Sequence, residues 1–174
     1  AKFVTEQVGK DLIKEFDLKV GDSIFFIADE KDMAIKLTNV LRNELGEKLN
    51  LIDKDRIAFC WIVDFPFFEH NEETGNIDFA HNPFSMPQGG LDSLEHMDPY
   101  SIKAYQYDLV CNGYETLSGA VRNHDQDLMV KAFELAGYNE DTVKEKFGAL
   151  YNAFSYGAPP HAGCAFGFDR LLML

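Results

Sequence analysis

Residues 105–122 read YQYDLVCNGYETLSGAVR, and this stretch decides the fold. Tyr105–Cys111 and Tyr114–Val121 are strand-like runs, and only Asn112-Gly113 separates them. A two-residue type I′ turn needs positive φ at both central positions, which asparagine and glycine tolerate best. An antiparallel hairpin is therefore expected. In a regular register Val110 opposes Glu115 and Asp108 opposes Leu117. Asp108 and Glu115 then share a face as diagonal neighbours, roughly 7–8 Å apart. Such a pair suits a hard divalent cation like Mg²⁺, which prefers oxygen ligands. Two ordinary acids on a solvated sheet face account for the spacing better, because 29 acidic residues must go somewhere. Arg122 lies an odd number of residues beyond Glu115 and would face the other way on a regular strand. A bulge at Gly119 is expected if the two share a site. An arginine there grips a carboxylate through two parallel hydrogen bonds; a surface ion pair is an equally good reading.

Downstream, Asp125–Ala136 and Glu140–Phe154 have helical periodicity, the first stopped by Gly137 and the second opened by Asn139 as N-cap. Ala162–Gly167 reads as a strand and Phe168–Leu174 as the start of a helix. Gly163, Ala165 and Gly167 alternate, leaving one strand face bare for a flat ligand or for close helix packing. Upstream, Ile57–Val63 (IAFCWIV) is a continuous apolar run, expected to be a strand buried on both faces. Ile77–Ala80 can pair back across the charged turn Glu69–Asn76. His81–Ala104 holds no period and is punctuated by Pro83, Pro87, Gly89, Gly90 and Pro99, so a long loop is expected. His81 opens that loop, where a structural hydrogen-bonding role is the default.

The first third has a different texture. Val4–Phe16 and Glu30–Leu45 have helical periods, with Gly46 near the end of the second, and Ser23–Ala28 (SIFFIA) reads as a short buried strand. The polar stretch Asn50–Arg56 is the expected boundary. The chain starts without methionine and stops within an apolar run, as a piece of a longer protein would.

The chain has 174 residues, 46% of them hydrophobic, which excludes wholesale disorder. No apolar run is long enough to cross a membrane. A net charge of −13 makes this segment poor at gripping phosphate backbones by counterion release. Only four arginines occur, Arg42, Arg56, Arg122 and Arg170, so each one merits scrutiny. Cys60, Cys111 and Cys164 lie in apolar settings without metal-ligand spacing and read as reduced core residues of a cytosolic protein.

Several stretches carry a resemblance together. WIVDFPFFE (Trp61–Glu69), HNPFSMPQGG (His81–Gly90), the hairpin Tyr107–Glu115 with Arg122 and the segment GAPPHAGCAFGFDRL (Gly157–Leu171) follow one another in order. Gly157–Leu171 is similar to the third signature motif of class II aminoacyl-tRNA synthetases. The whole set resembles the bacterial-type aspartyl-tRNA synthetases, in the C-terminal half of such chains. The resemblance implies an α+β fold, with an antiparallel sheet flanked by helices. Residues 1–56 would be the second half of a small α/β insertion domain, and residues 57–174 the later half of the class II catalytic core.

The resemblance also implies a reaction, in which ATP and aspartate give aspartyl-adenylate and the aspartyl group then passes to tRNA. Glu115 falls where the family contacts ATP and Mg²⁺, and Asp108 where it supports the metal site. Arg122 falls on the residue that binds the aspartate side chain, and His81 on a histidine of the same pocket. Gly167, Phe168, Asp169 and Arg170 fall on the ATP-binding motif, with Arg170 set against the nucleotide. The implied parent is a cytoplasmic homodimer. This segment lacks the anticodon-binding domain and the first two class II motifs, so it is not expected to aminoacylate alone. Two other readings stand beside the ligase: a non-catalytic relative that kept the scaffold, and a synthetase for another amino acid such as asparagine or lysine.

Overall fold

The computed structural model describes residues 4–174, and the chain divides into two compact units, Ala1–Asp55 and Arg56–Leu174. In the first, α1 (Glu6–Glu15) is capped by Thr5, whose hydroxyl accepts from the Val8 amide. The second helix, α2 (Lys31–Lys48), runs straight through Gly46. It stops at Asn50, which adopts φ 52° and lets two amides turn back, Asn50 N to Glu47 O and Leu51 N to Gly46 O. That pattern is a Schellman end, with asparagine in the left-handed position that glycine usually fills. Ser23–Ala28 is not a strand: it has no regular secondary structure, and Phe25 and Phe26 are exposed. A strand needs a neighbour's backbone to complete its hydrogen bonds, and none of the described residues pairs with this segment.

The second unit is built on a four-stranded antiparallel sheet in the order β1-β4-β5-β6: β1 (Phe59–Val63), β4 (Gln106–Cys111), β5 (Tyr114–Arg122) and β6 (His161–Phe166). A separate ribbon pairs β2 (Phe68–His70) with β3 (Ile77–Phe79). The helices are α3 (Gly90–His96), α4 (Gln126–Leu135), α5 (Glu140–Ser155) and α6 (Phe168–Met173), with a 3-10 turn at Pro99–Ser101. The stretch expected to be a loop thus contains α3. Gly89 and Gly90 break no helix here; they adopt φ 88° and 62° to start one.

The core lies beside the sheet. Phe67, Phe68, Leu94, Ile102, Ala104, Leu128 and Ala132 form one buried cluster, and Met129, Phe133, Val143 and Phe154 another. Asn139 caps α5 through its side chain, as expected from sequence, and Asp125, read from sequence as the first residue of its helix, caps α4 in the same way. In the first turn of α5 the Tyr151 hydroxyl donates to Glu140 at 2.6 Å and Lys144 approaches it at 3.0 Å. These two donors hold the Glu140 carboxyl below its usual range.

Two burial expectations fail. Strand β1 is exposed along its whole length, because it is an edge strand and no other element of its own unit covers either face. Cys60 and Cys164 are exposed as well, on β1 and β6; only Cys111 is buried.

The hairpin turn forms as read, with Asn112 at φ 49° and Gly113 at φ 87°. Its bulge is elsewhere than expected. Val110 pairs with Glu115 but Leu109 pairs with Leu117, so the extra residue is Thr116. Its hydroxyl donates to Leu109 O at 2.8 Å, satisfying a carbonyl beside the register shift. Gly119 has a different task. The Tyr107 ring crosses it to donate to Gly163 O at 3.1 Å, and a Cβ there would collide with that ring and with Gly163 O. Gly119→Ala is expected to destabilise this unit by about 1–3 kcal/mol, read as a lowered denaturation midpoint. An unchanged midpoint would show that Tyr107 moves aside freely.

Candidate active site

The bulge at Thr116 decides which side chains meet. Partners directly across a ladder share a face, so Val110 opposite Glu115, Asp108 opposite Ser118 and Gln106 opposite Ala120 all point the same way. Arg122, two residues beyond Ala120, joins them. Across the next ladder Ser118 pairs with Ala165, Ala120 with Gly163 and Arg122 with His161. One sheet face therefore carries Asp108, Glu115 and Arg122 together, next to a patch of small residues on β6.

A cleft of about 620 Å³ opens over this face, lined by Asp108, Glu115, Arg122, Gly163, Ala165 and, from the segment leading out of β3, His81. That segment is fastened to the sheet by backbone. Met86 N donates to Val121 O at 2.8 Å, Asn123 N to Phe84 O at 2.8 Å, and Ser85 bridges to Arg122. His81 packs edge-on against Phe65, with ring centroids 5.1 Å apart.

Arg122 makes no ion pair among the described residues; its guanidinium lies 6.0 Å from the Phe84 ring centroid. The acids on this face, Asp108 and Glu115, leave it unneutralised. Arg170, by contrast, is committed. Its Nη1 donates to Glu115 O at 2.8 Å and lies 3.4 Å from Glu115 Oε1. Helix α6 aims it: Gly167 N donates to Thr116 O at 2.9 Å, so the helix begins where β6 leaves the bulge. Arg170 thus stands beside the cleft, joined to it through Glu115. Gly167, Phe168 and Asp169 are not on the cleft wall; Phe168 is 70% exposed.

Asp108 and Glu115 offer hard oxygen donors at one end of the cleft. No group of three or more histidine, cysteine or acidic side chains stands together among the described residues. A two-carboxylate donor set fits Mg²⁺, which keeps several waters and takes its remaining ligands from phosphate oxygens.

Sequence reasoning missed Gln106, Asn82, Ser118 and His161, which also line the cleft. Gln106 has the parity of Asp108, and His161 that of Gly163. Alternation along each strand would have found both.

The chain belongs to the family described as tRNA synthetases class II (D, K and N), whose model matches residues 4–174. The protein named Aspartate--tRNA(Asp/Asn) ligase from Xanthobacter autotrophicus is 59% identical over 160 residues, 92% of this chain and 26% of that protein. Its namesake from Agrobacterium fabrum is 56% identical over 174 residues, all of this chain and 29% of that protein. The chain therefore spans less than a third of the length of these relatives. Among solved structures, Aspartyl tRNA synthetase from Entamoeba histolytica aligns over 96% of this chain and 27% of that chain, at 23% identity and a TM-score of 0.47.

Proposed function

We propose that the chain is part of an ATP-dependent aspartate–tRNA ligase, in which Arg56–Leu174 is the later half of the catalytic core and Ala1–Asp55 half of an insertion domain. The observation that carries this reading is the unpaired guanidinium of Arg122 on the same sheet face as Asp108 and Glu115. In this reading Arg122 takes the side-chain carboxylate of aspartate through two parallel hydrogen bonds, and His81 closes the same pocket. Asparagine presents an amide there and leaves the cation without its ion pair, so it is rejected.

ATP lies against the bare strand formed by Gly163 and Ala165, its phosphates towards Glu115 and Arg170. The substrate's α-carboxylate oxygen attacks the α-phosphorus; the bond to pyrophosphate breaks and aspartyl-adenylate remains. Arg170 supports the developing negative charge, and the walls of the cleft hold both reactants in line. Asp108 and Glu115 would hold Mg²⁺, which neutralises phosphate charge when bound. Arg170 occupies Glu115 Oε1 and leaves the second oxygen for the metal. Gly167, Phe168 and Asp169 serve through the backbone, by setting the start of α6. The acceptors are tRNAs for aspartate and asparagine, a breadth suggested by the relatives' printed names. The working enzyme is a cytoplasmic homodimer.

ATP–pyrophosphate exchange by the full-length protein, run in parallel with aspartate, asparagine and lysine, tests the reading. Exchange with aspartate at least a hundredfold above the other two is the expected result. Preference for asparagine or lysine would transfer the site to another amino acid, and no exchange with any of the three would favour a non-catalytic relative.

A further inference from the structure

Among the polar groups of the cleft, Gln106 is the most deeply buried without a part in the chemistry. Gln106, the first residue of β4, is 8% exposed and lies two residues from Asp108 on the same face. Its Nε2 donates to Ser85 Oγ at 3.1 Å and to Asn82 O at 3.4 Å. The direction of this amide is set by its neighbour. Ser85 Oγ has one proton and donates it to Asn82 O at 2.7 Å, so towards Gln106 it can only accept. The NH₂ end must therefore face Ser85, and the carbonyl oxygen must face away from it.

That oxygen, Oε1, accepts no hydrogen bond among the described residues. It is not sealed off either, since the one enclosed side-chain polar atom without a partner among them is His124 Nδ1. The Arg122 guanidinium does not reach it and leans towards Phe84. Ala120 alone stands between Gln106 and Arg122 on this face, too small to screen one from the other.

We propose that Gln106 is a specificity-determining residue whose carbonyl oxygen accepts a hydrogen bond from the ammonium group of the amino-acid substrate. This rests on the ligase reading above. Aspartate brings two carboxylates, which only accept, and one ammonium, which only donates. An acceptor-only group on the cleft floor can pair with the ammonium and nothing else in that substrate. The Ser85–Asn82 arrangement gives the amide its direction before the substrate arrives, so little ordering remains to be done on binding.

Succinate, which has both carboxylates of aspartate and no ammonium, separates recognition from scaffolding. In the full-length enzyme Gln106→Met is expected to raise the KM for aspartate about tenfold, an interaction of the size of one hydrogen bond to a charged group. Competitive inhibition by succinate and the KM for ATP should stay within twofold of wild type. If aspartate and succinate weaken together, or if the KM for ATP moves instead, the assignment is overturned. Should Gln106→Met not fold, Ser85→Ala leaves the amide free to turn over. A two- to threefold loss confined to aspartate supports the assignment, and an unchanged aspartate KM overturns it. Wild-type enzyme that activates no aspartate would overturn the ligase reading and this assignment with it. Active wild type with no difference between the two dicarboxylates overturns the assignment alone.

Discussion

Replacing Arg122 by leucine in the full-length enzyme is expected to lower kcat/KM for aspartate in pyrophosphate exchange by about a thousandfold. Truncating one partner of a hydrogen-bonded charge pair typically costs 2–5 kcal/mol, much of it from the stranded opposite charge. Here the stranded group would be the substrate's carboxylate, set down on a face that already holds Asp108 and Glu115. The loss should fall mainly on KM, and KM for ATP should barely move. Selection should change with it. Asparagine lacks the charge that Arg122 is proposed to read, so activity with it should be almost untouched and the preference for aspartate should shrink to about tenfold or less. Arg122→Lys is the instructive intermediate. It keeps the charge but not the planar fork, and should recover only part of the loss. Wild-type aspartate KM in Arg122→Leu would remove the residue from substrate recognition.

The second large effect concerns Arg170. Changing it to alanine should reduce kcat for exchange by about 10²–10³, the range found when one preorganised donor to a developing charge is removed. The substitution has two consequences at once. The positive group proposed to face the phosphates is lost, and Glu115 loses the guanidinium that holds both its backbone carbonyl and Oε1. If the arginine acts mainly by placing Glu115, Glu115→Gln and the double variant should lose about as much as Arg170→Ala does. If it acts mainly on the nucleotide, the losses should multiply, because independent contributions add in free energy. Half-exposed as it is, with 53% of its side-chain surface accessible, Arg170 contributes little to stability, and an unchanged melting curve would confirm intact folding. Full activity in Arg170→Ala would sink the assignment.

How much of this was legible in the residues differs from place to place. The Asn112-Gly113 turn could be read directly, since few other pairs accept positive φ twice in succession. The cap at Asn139 was equally plain, because its chemistry is local. The bulge was anticipated but misplaced. Glycine is the usual marker for an irregular strand, and Gly119 drew the reading to itself. The real irregularity sits on a threonine whose hydroxyl meets the orphaned carbonyl of Leu109. Gly119 is small for a distant reason, the passage of Tyr107 towards β6, and only the folded arrangement shows that. The pair Gly89-Gly90 misled in the same way, since backbone freedom serves to begin a helix as well as to prevent one. Burial was the least legible property. An apolar run such as Ile57–Val63 announces a strand but says nothing about what lies on either side. The charge chemistry fell in between: Arg122, Glu115 and Asp108 were visible as types, while Gln106 was invisible until Ser85 gave it a direction.

The placement of Asp108, Glu115 and Arg122 on one hairpin has a kinetic corollary. Hairpins of this kind close in about 1–10 μs, and the short loop makes the entropy of closure small. Three charged side chains of the cleft are therefore brought to their relative positions by contacts local in the chain, ahead of slower long-range docking. Arg170, which must come from 55 residues further on to meet Glu115, arrives as a late addition to a template already set.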